Sequence, residues 1–347
     1  MATTQAPRVR SGALPLRTFK TTGRPVSIAG MGLYAPEKLV TNFDLEKTID
    51  TTDQWISDRT GIRTRHIAEP GTTTFDIATR AARAALDAAG MAATELDMIL
   101  VGTSSPDGPF PSVACRVQEQ LGALGAVAWD LLAACTGFVF GLSTAEAYIA
   151  SGRAENVLVI GAEVLSRMLE FTNRGRGTAV IFGDGAGAAI LRPATRGAGF
   201  RSWCLGSDGR GYDQVTMGDV PRGSYTAKDT NAIIEMKGPD VFKFAVDIFI
   251  RQADAVAREA GLTMDDIDLW VPHQANYRII EAAARRVGLP MDRVAVNIDR
   301  YGNTSSASIP LALAEAIEQG RVKSGDNVLI AGFGSGLTWG ACLLEWE

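Results

Sequence analysis

The chain has 347 residues, 46% of them apolar, with a net charge of -5 and an isoelectric point near 5.3. That is enough apolar material for a large core and room for two units of ordinary size, and the acidic balance excludes the broad electropositive surface of a nucleic-acid binder. The longest apolar candidate, 123–135, is broken by Asp130 and falls short of the roughly 20 residues that a spanning helix needs, so no membrane partner is expected.

Residues 1–24 hold Arg8, Arg10, Arg17, Lys20 and Arg24 but no acidic residue and no apolar signal core. They are read as a disordered extension outside the fold, with an organelle transit peptide as the alternative. Cys115, Cys135, Cys204 and Cys342 are scattered without C-x-x-C spacing, which fits neither a metal site nor a disulfide framework and points to a reducing, cytoplasmic setting.

Beyond the extension, an Ala- and Arg-rich helix over 75–90 leads to a short apolar run at 97–103. Next comes L-L-A-A-C-T-G-F, with Cys135 at the entrance of a helix over 136–151. A helix N-terminus favours negative charge, so this thiol is expected to have a lowered pKa and to act as a nucleophile. A β-rich run at 156–161 follows, then F-G-D-G-A-G-A at 182–188. The latter follows T-A-V-I-F and leads into A-A-I-L, so it links two strands instead of opening a helix, and no dinucleotide cofactor is expected.

The same order then recurs: a helix over 241–260, an apolar run at 268–272, a helix over 305–319 and a β-rich run at 327–332. N-V-L-V-I-G at Asn156 repeats as N-V-L-I-A-G at Asn327, an offset of 171 (327 minus 156), and Ala89-Gly90-Met91 repeats as Ala260-Gly261-Leu262 at that offset. The chain therefore reads as two copies of one unit, near 25–195 and 196–347. Alternating strands and helices imply α/β layers with largely parallel strands, and two packed units imply five layers with a site at their junction. Ala145-Glu146-Ala147 and Ala314-Glu315-Ala316 pair at 169 (314 minus 145), and in this register Cys135 falls near Thr304, beside Asn303.

His66 and His273 are the two histidines. His66 sits among charged residues in R-T-R-H, whereas His273, in W-V-P-H-Q-A-N, lies where an apolar strand opens into a helix, the usual place for a site in such folds. Gln274, Asn276 and the polar turn Y-G-N-T-S-S around Asn303 support that choice. Gly334 and Gly336, in F-G-S-G-L-T-W-G, allow a tight turn whose N–H groups could face an oxyanion.

A-A-C-T-G-F, P-H-Q-A-N, Y-G-N-T-S-S-A-S-I-P and F-G-S-G-L-T-W-G, in that order, resemble β-ketoacyl-acyl-carrier-protein synthase III of the thiolase superfamily. D-Q-W-I-S-D-R-T-G-I-R and F-G-D-G-A-G-A extend the resemblance from about residue 25 to the C-terminus. It implies a thiolase-like αβαβα fold and a decarboxylative Claisen condensation that initiates fatty acid biosynthesis. Cys135 would take the primer from acyl-CoA, while His273 and Asn303 would hold the thioester carbonyl of malonyl-acyl carrier protein as its enolate forms. The backbone of Cys135 and Ser335 would form a second oxyanion hole.

The same resemblance implies that Trp55 and Arg176 sandwich the CoA adenine, with Arg174 as an alternative to Arg176. Arg59 and Arg278 would meet phosphates, and Asn276, Gly238 and Phe242 would line the pantetheine tunnel. Phe110 would enter a partner's acyl pocket, implying a homodimer, and Leu165, Leu169 and the 213–232 insert would help to set primer size. Arg278 and Arg285 share a helix face and, with Arg286 and Lys243, form a docking surface for the acidic carrier protein. The CoA thioester is a substrate, and no resident cofactor or metal is expected.

Three departures stand out: Ser335 occupies a position that is usually glycine-like, N-R-G-R-G before the adenine arginine is about two residues longer, and the N-terminal extension is unusual. A specialised condensing enzyme or acyltransferase of secondary metabolism is the alternative, although no glutamate beside Cys135 is evident. A papain-like hydrolase also places His roughly 130 to 150 residues after Cys, and here the separation is 138 (273 minus 135), but its C-G-S-C-W context is missing.

Overall fold

A computed structural model describes residues 16–217 and 233–347. The strands of its two large sheets are, in chain order, β1 (Arg17–Lys20), β2 (Val26–Tyr34), β3 (Met98–Gly102), β4 (Val127–Leu131), β5 (Val157–Glu163), β6 (Gly185–Pro193), β7 (Gly199–Ser207), β8 (Leu269–Pro272), β9 (Asn327–Gly334) and β10 (Thr338–Glu345). One sheet runs β2-β6-β5-β3-β4 and the other β1-β7-β10-β9-β8. The two orders are alike, and a parallel bridge between Trp270 and Val294 stands where the first sheet has β4.

Seven helices position the site: α1 (Asp53–Thr60), α2 (Thr74–Ala89), α3 (Val113–Leu121), α4 (Gly137–Ala150), α5 (Gly238–Ala260), α6 (Tyr277–Val287) and α7 (Ser308–Glu318). Helices α4 and α7 carry apolar residues nearly all round, the pattern of a helix without a solvent face. They form the central layer, where Phe138, Leu142, Ile309 and Leu313 meet the inner faces of both sheets at Val159 and Ile330. Helices α2 and α3 cover the outer face of the first sheet through Ile77, Ala81 and Val117. Helices α5 and α6 cover the second through Ile248, Phe249 and Ile280. Burying each such large side chain stabilises by about 1.5–3 kcal/mol, and the result is the five-layered αβαβα arrangement of the thiolase fold.

Local chemistry fixes the helix ends. Thr73 and Asp76 form a capping box at the start of α2, and Gly90 ends it at φ +61°. Asp130, which interrupts the apolar run in the sequence, accepts the first N–H groups of α3 at Val113 and Ala114, both at 2.8 Å.

Three expectations change. The sheets are mixed: β5, β3 and β4 are parallel, but β6 is antiparallel to both β2 and β5, and β10 to both β7 and β9. The turn from β9 to β10 is too short for the crossover that parallel strands require. Second, residues 17–24 are not outside the fold. β1 pairs antiparallel with β7, and Arg24 donates to the carbonyls of Ile149 and Ala154 and pairs with Glu155. Residues 1–15 lie outside the described residues. Third, T-A-V-I-F is not a strand, because Arg176–Ala179 is a helical turn held by bonds to the Gly175 carbonyl. F-G-D-G nevertheless opens into β6 and not a helix, with Asp184 fully buried on the N–H groups of Ala68 and Ser166.

Candidate active site

Cys135 lies in the short turn Ala134–Thr136 that feeds α4. Its counterpart is the turn Ser305–Ala307 that feeds α7. Ala134 and Ser305, offset by 171 (305 minus 134), are the non-glycine residues in the left-handed region among the described residues, at φ +46° and +49°. Such a conformation costs about 1–3 kcal/mol and is held only where surroundings insist on it. This pairing moves the structural counterpart of Cys135 from Thr304, as the register suggested, to Ser306.

The backbones of the two halves nearly touch here. A Cβ on Gly161 would land on the Ser306 carbonyl. A Cβ on Gly334 would lie 2.9 Å from the Cys135 amide nitrogen, so glycine brings the turn after β9 directly over the thiol. Thr136 and Thr338 join hydroxyls at 2.8 Å beside it.

His273 follows β8, with its N–H on the Ala331 carbonyl at 2.8 Å and its ring edge-on to Phe333. Asn303 is fixed on the other side. Its N–H donates to the Ile181 carbonyl, its carbonyl accepts from Gly183, and its Oδ1 accepts from the Ser305 N–H at 2.8 Å. The amide therefore presents Nδ2, a donor, to the cavity. Cys135, His273, Asn303 and Ser335 line one cavity of about 940 Å³, together with Leu165, Met168 and Phe333.

Burial decides the charge states. The Cys135 thiol is pushed up from 9.0 to about 12, chiefly by burial. A helix end contributes about 0.3–1 kcal/mol, less than one pH unit at about 1.4 kcal/mol, so the expected lowering does not occur. Burial likewise holds His273 down at about 3. The pair is a neutral thiol and a neutral imidazole, which suits the histidine as an N–H donor to a developing oxyanion.

The mouth of the cavity gathers the remaining candidates unevenly. Trp55, Arg59, Gly238, Phe242 and Asn276 line it; Arg176 and Arg278 do not. Arg59 and Arg176 both stack on Trp55, with guanidinium carbons 4.4 and 4.5 Å from the ring centroid, so an inserted base would have to displace one of them. Arg174 instead pairs with Glu170 at 2.8 Å. Asn276 also caps α6, accepting from the Arg278 N–H and donating to the Arg59 carbonyl.

Gln274 is not a site group: it is fully buried, and its amide is engaged by Pro272, Ala295 and Asn297. Lys243, Arg278, Arg285 and Arg286 are exposed around α5 and α6 and form no ion pair among the described residues. Phe110 is 83% exposed and does not line this cavity, nor does Leu169. Within the 213–232 insert, Val215–Met217 pairs with Ile234–Met236 and both flank the cavity; 218–232 lie outside the described residues.

Sequence reasoning overlooked Glu163, which ends β5. It is fully buried near Cys135 and bonded to hydroxyls from both halves. Its signal was present: a charged residue terminates an otherwise continuous buried strand, and such a charge needs dedicated partners.

Two family models match the chain, one describing the C-terminal part of 3-oxoacyl-[acyl-carrier-protein] synthase III at residues 257–346 and one describing that synthase at 129–209. The β-ketoacyl-[acyl-carrier-protein] synthase III of Desulfitobacterium hafniense is 49% identical over 93% of this chain and 98% of its own length. The crystal structure of the synthase from Aquifex aeolicus superposes with a TM-score of 0.87 at 43% identity, covering 92% of this chain and 100% of that one. The priming β-ketosynthase of the R1128 polyketide pathway reaches 0.89 at 34%, covering 98% and 99%. Among the described residues no helix is long and apolar enough to cross a membrane. The duplicated fold, the cavity at the junction and the similarity along nearly the whole chain agree that it belongs to the β-ketoacyl-[acyl-carrier-protein] synthase III family of acyl-transferring condensing enzymes.

Proposed function

We propose that the chain moves a primer acyl group from acyl-CoA to Cys135 and then condenses it with malonyl-acyl carrier protein, starting fatty acid synthesis. The carrying observation is that Cys135, His273 and Asn303 line one apolar cavity with the asparagine amide locked as a donor. In the first step the Cys135 sulfur attacks the thioester carbonyl and its proton leaves on the CoA thiol. The N–H groups of Cys135 and Ser335 receive the oxyanion. In the second step the malonyl carboxylate departs as carbon dioxide, and the electron pair flows onto the thioester oxygen between His273 and Asn303. The enolate then attacks the acyl-cysteine carbonyl, expelling the sulfur as a thiolate that regains a proton. Removing one such oxyanion donor costs about 100- to 1,000-fold in related chemistry.

Trp55 with Arg59 and Arg176 forms the nucleotide end of the CoA path, and Gly238, Phe242 and Asn276 line its inner stretch. The cations Lys243, Arg278, Arg285 and Arg286 suit an acidic carrier. A homodimer would cover exposed Phe110, Leu132 and Val127 beside the edge strand β4. The four cysteines are unpaired, as in a reducing cytoplasm. No resident cofactor is required. The test is a panel of acyl-CoA primers with malonyl-carrier protein, read as β-ketoacyl product and as mass added to the Cys135 peptide. Label on another cysteine, or product without malonyl-carrier protein, refutes the assignment.

A further inference from the structure

Glu163 sits where the two halves meet and has no place in the reaction just described. Its Oε2 accepts from the Ser105 hydroxyl at 2.7 Å, the Ser104 N–H at 3.0 Å and the Thr103 hydroxyl at 3.3 Å, all from the loop after β3. Its Oε1 lies 2.9 Å from Ser306 Oγ and 3.4 Å from the Ser306 nitrogen of the second half, and it also accepts from the Ser104 N–H at 3.2 Å. Among the described residues, no cation is one of its partners.

A count of hydrogens sets its protonation. Ser306 Oγ carries one hydrogen but lies near two acceptors, Glu163 Oε1 and the Gly102 carbonyl at 2.8 Å. A carboxylate would leave one of these short contacts without a proton. A proton on Oε1 satisfies both: the carboxyl donates to Ser306 Oγ, and Ser306 donates to Gly102. The Ser105 hydroxyl hydrogen still reaches Oε2, because Ser105 Oγ accepts separately from the Val164 N–H. Burial acts in the same direction, raising the Glu163 pKa.

From Ser306 the effect reaches the cavity in one residue. Ser305, in its left-handed conformation, donates its N–H to Asn303 Oδ1 and lines the cavity with Cys135. We propose that Glu163 is a positioning residue, a neutral carboxyl that latches the Ser305–Ser306 turn to the Cys135 half and thereby aims Asn303. Neutrality matters as well as reach, since a carboxylate so near Cys135 would oppose its ionisation during acyl transfer.

The test compares Glu163→Ala with Glu163→Gln, whose amide can still donate where the carboxyl does. Glu163→Ala should lower kcat for malonyl decarboxylation about tenfold or more while the carrier-protein KM stays within about threefold, and Glu163→Gln should recover kcat to within about threefold of the parent. Alkylation of Cys135 in Glu163→Gln should follow the parent's pH profile, because no charge is removed. Should Glu163→Ala fail to fold, Ser306→Ala cuts the same link and should lower the same kcat by about fivefold or more. The proposal is overturned if Glu163→Gln is as impaired as Glu163→Ala, if its alkylation profile moves to lower pH, or if the latch variants turn over at the parental rate. The inference rests on the proposed roles of Cys135 and Asn303. A parent enzyme that takes no acyl group on Cys135 would sink that assignment, whereas a parental rate in acylated Glu163→Ala would sink the latch alone.

Discussion

The turns at Ala134–Thr136 and Ser305–Ala307 share a backbone, a left-handed residue and a following helix, yet they do different work. In the first half the residue after the strained position is Cys135, under the cavity. In the second it is Ser306, buried and bonded to Gly102 and Glu163. Duplication supplied two equivalent helix entrances, and the proposed chemistry divides between them: one turn would carry the nucleophile and the other would steady the amide that meets the second substrate. The strain at Ser305 is tolerated because three hydrogen bonds to Asn303, Glu163 and Gly102 hold that turn in place.

The sharpest way to break this comparison is to remove the nucleophile. Cys135→Ala should lower condensation by about a thousandfold or more, measured as β-ketoacyl product. A smaller loss would mean that the first turn is not where the acyl group is carried. Next, Asn303→Ala or His273→Ala should each reduce malonyl decarboxylation by about 100-fold or more, with Cys135 still accepting acyl groups. Loss of acylation to the same degree would erase the division of labour.

Charge states give a third test. Because the Cys135 thiol is pushed up to about 12, its thiolate fraction grows throughout the neutral range. Iodoacetamide should modify it about tenfold faster for each pH unit between about pH 6 and 9. A plateau below pH 8 would instead indicate a preformed thiolate–imidazolium pair. The linked stability effect has the opposite kind of sign. His273 is held down at about 3, below its ordinary value of 6.5, so the unfolded chain binds a proton that the folded chain refuses. That contribution is present above pH 6.5 and is lost as pH falls from 6.5 toward 3, at up to about 1.4 kcal/mol per pH unit. Urea unfolding of the parent and His273→Phe across that range should show the parent's curve falling more steeply. The smallest effect belongs to the surface: Arg285→Glu with Arg286→Glu should raise the carrier-protein KM about tenfold at low salt and leave acyl-CoA transfer unchanged.

Cys135, His273 and Asn303 were legible because cysteine and histidine are scarce and each sits at a strand or helix end, where repeats and glycines mark the turns. The mixed sheets, the pKa of Cys135 and the latch at Glu163 were not. Burial raises the thiol, and burial is a tertiary property that local helix polarity cannot reveal. Glu163 and Ser306 lie 143 positions apart (306 minus 163), so their contact has no local pattern. The strand Arg17–Lys20 shows no apolar alternation, having one half-buried residue among exposed ones, and its order comes from pairing with Ser202–Leu205.

The central claim, that one half carries the acyl group while the other activates the second substrate, is tested most directly by intact mass measurement of Asn303→Ala. The variant is first treated with acyl-CoA and then with malonyl-carrier protein. The account predicts that Cys135 becomes acylated and that the added mass persists after the second addition, while the parent discharges it. An Asn303→Ala enzyme that never acquires the mass, or that sheds it as fast as the parent, would contradict the account.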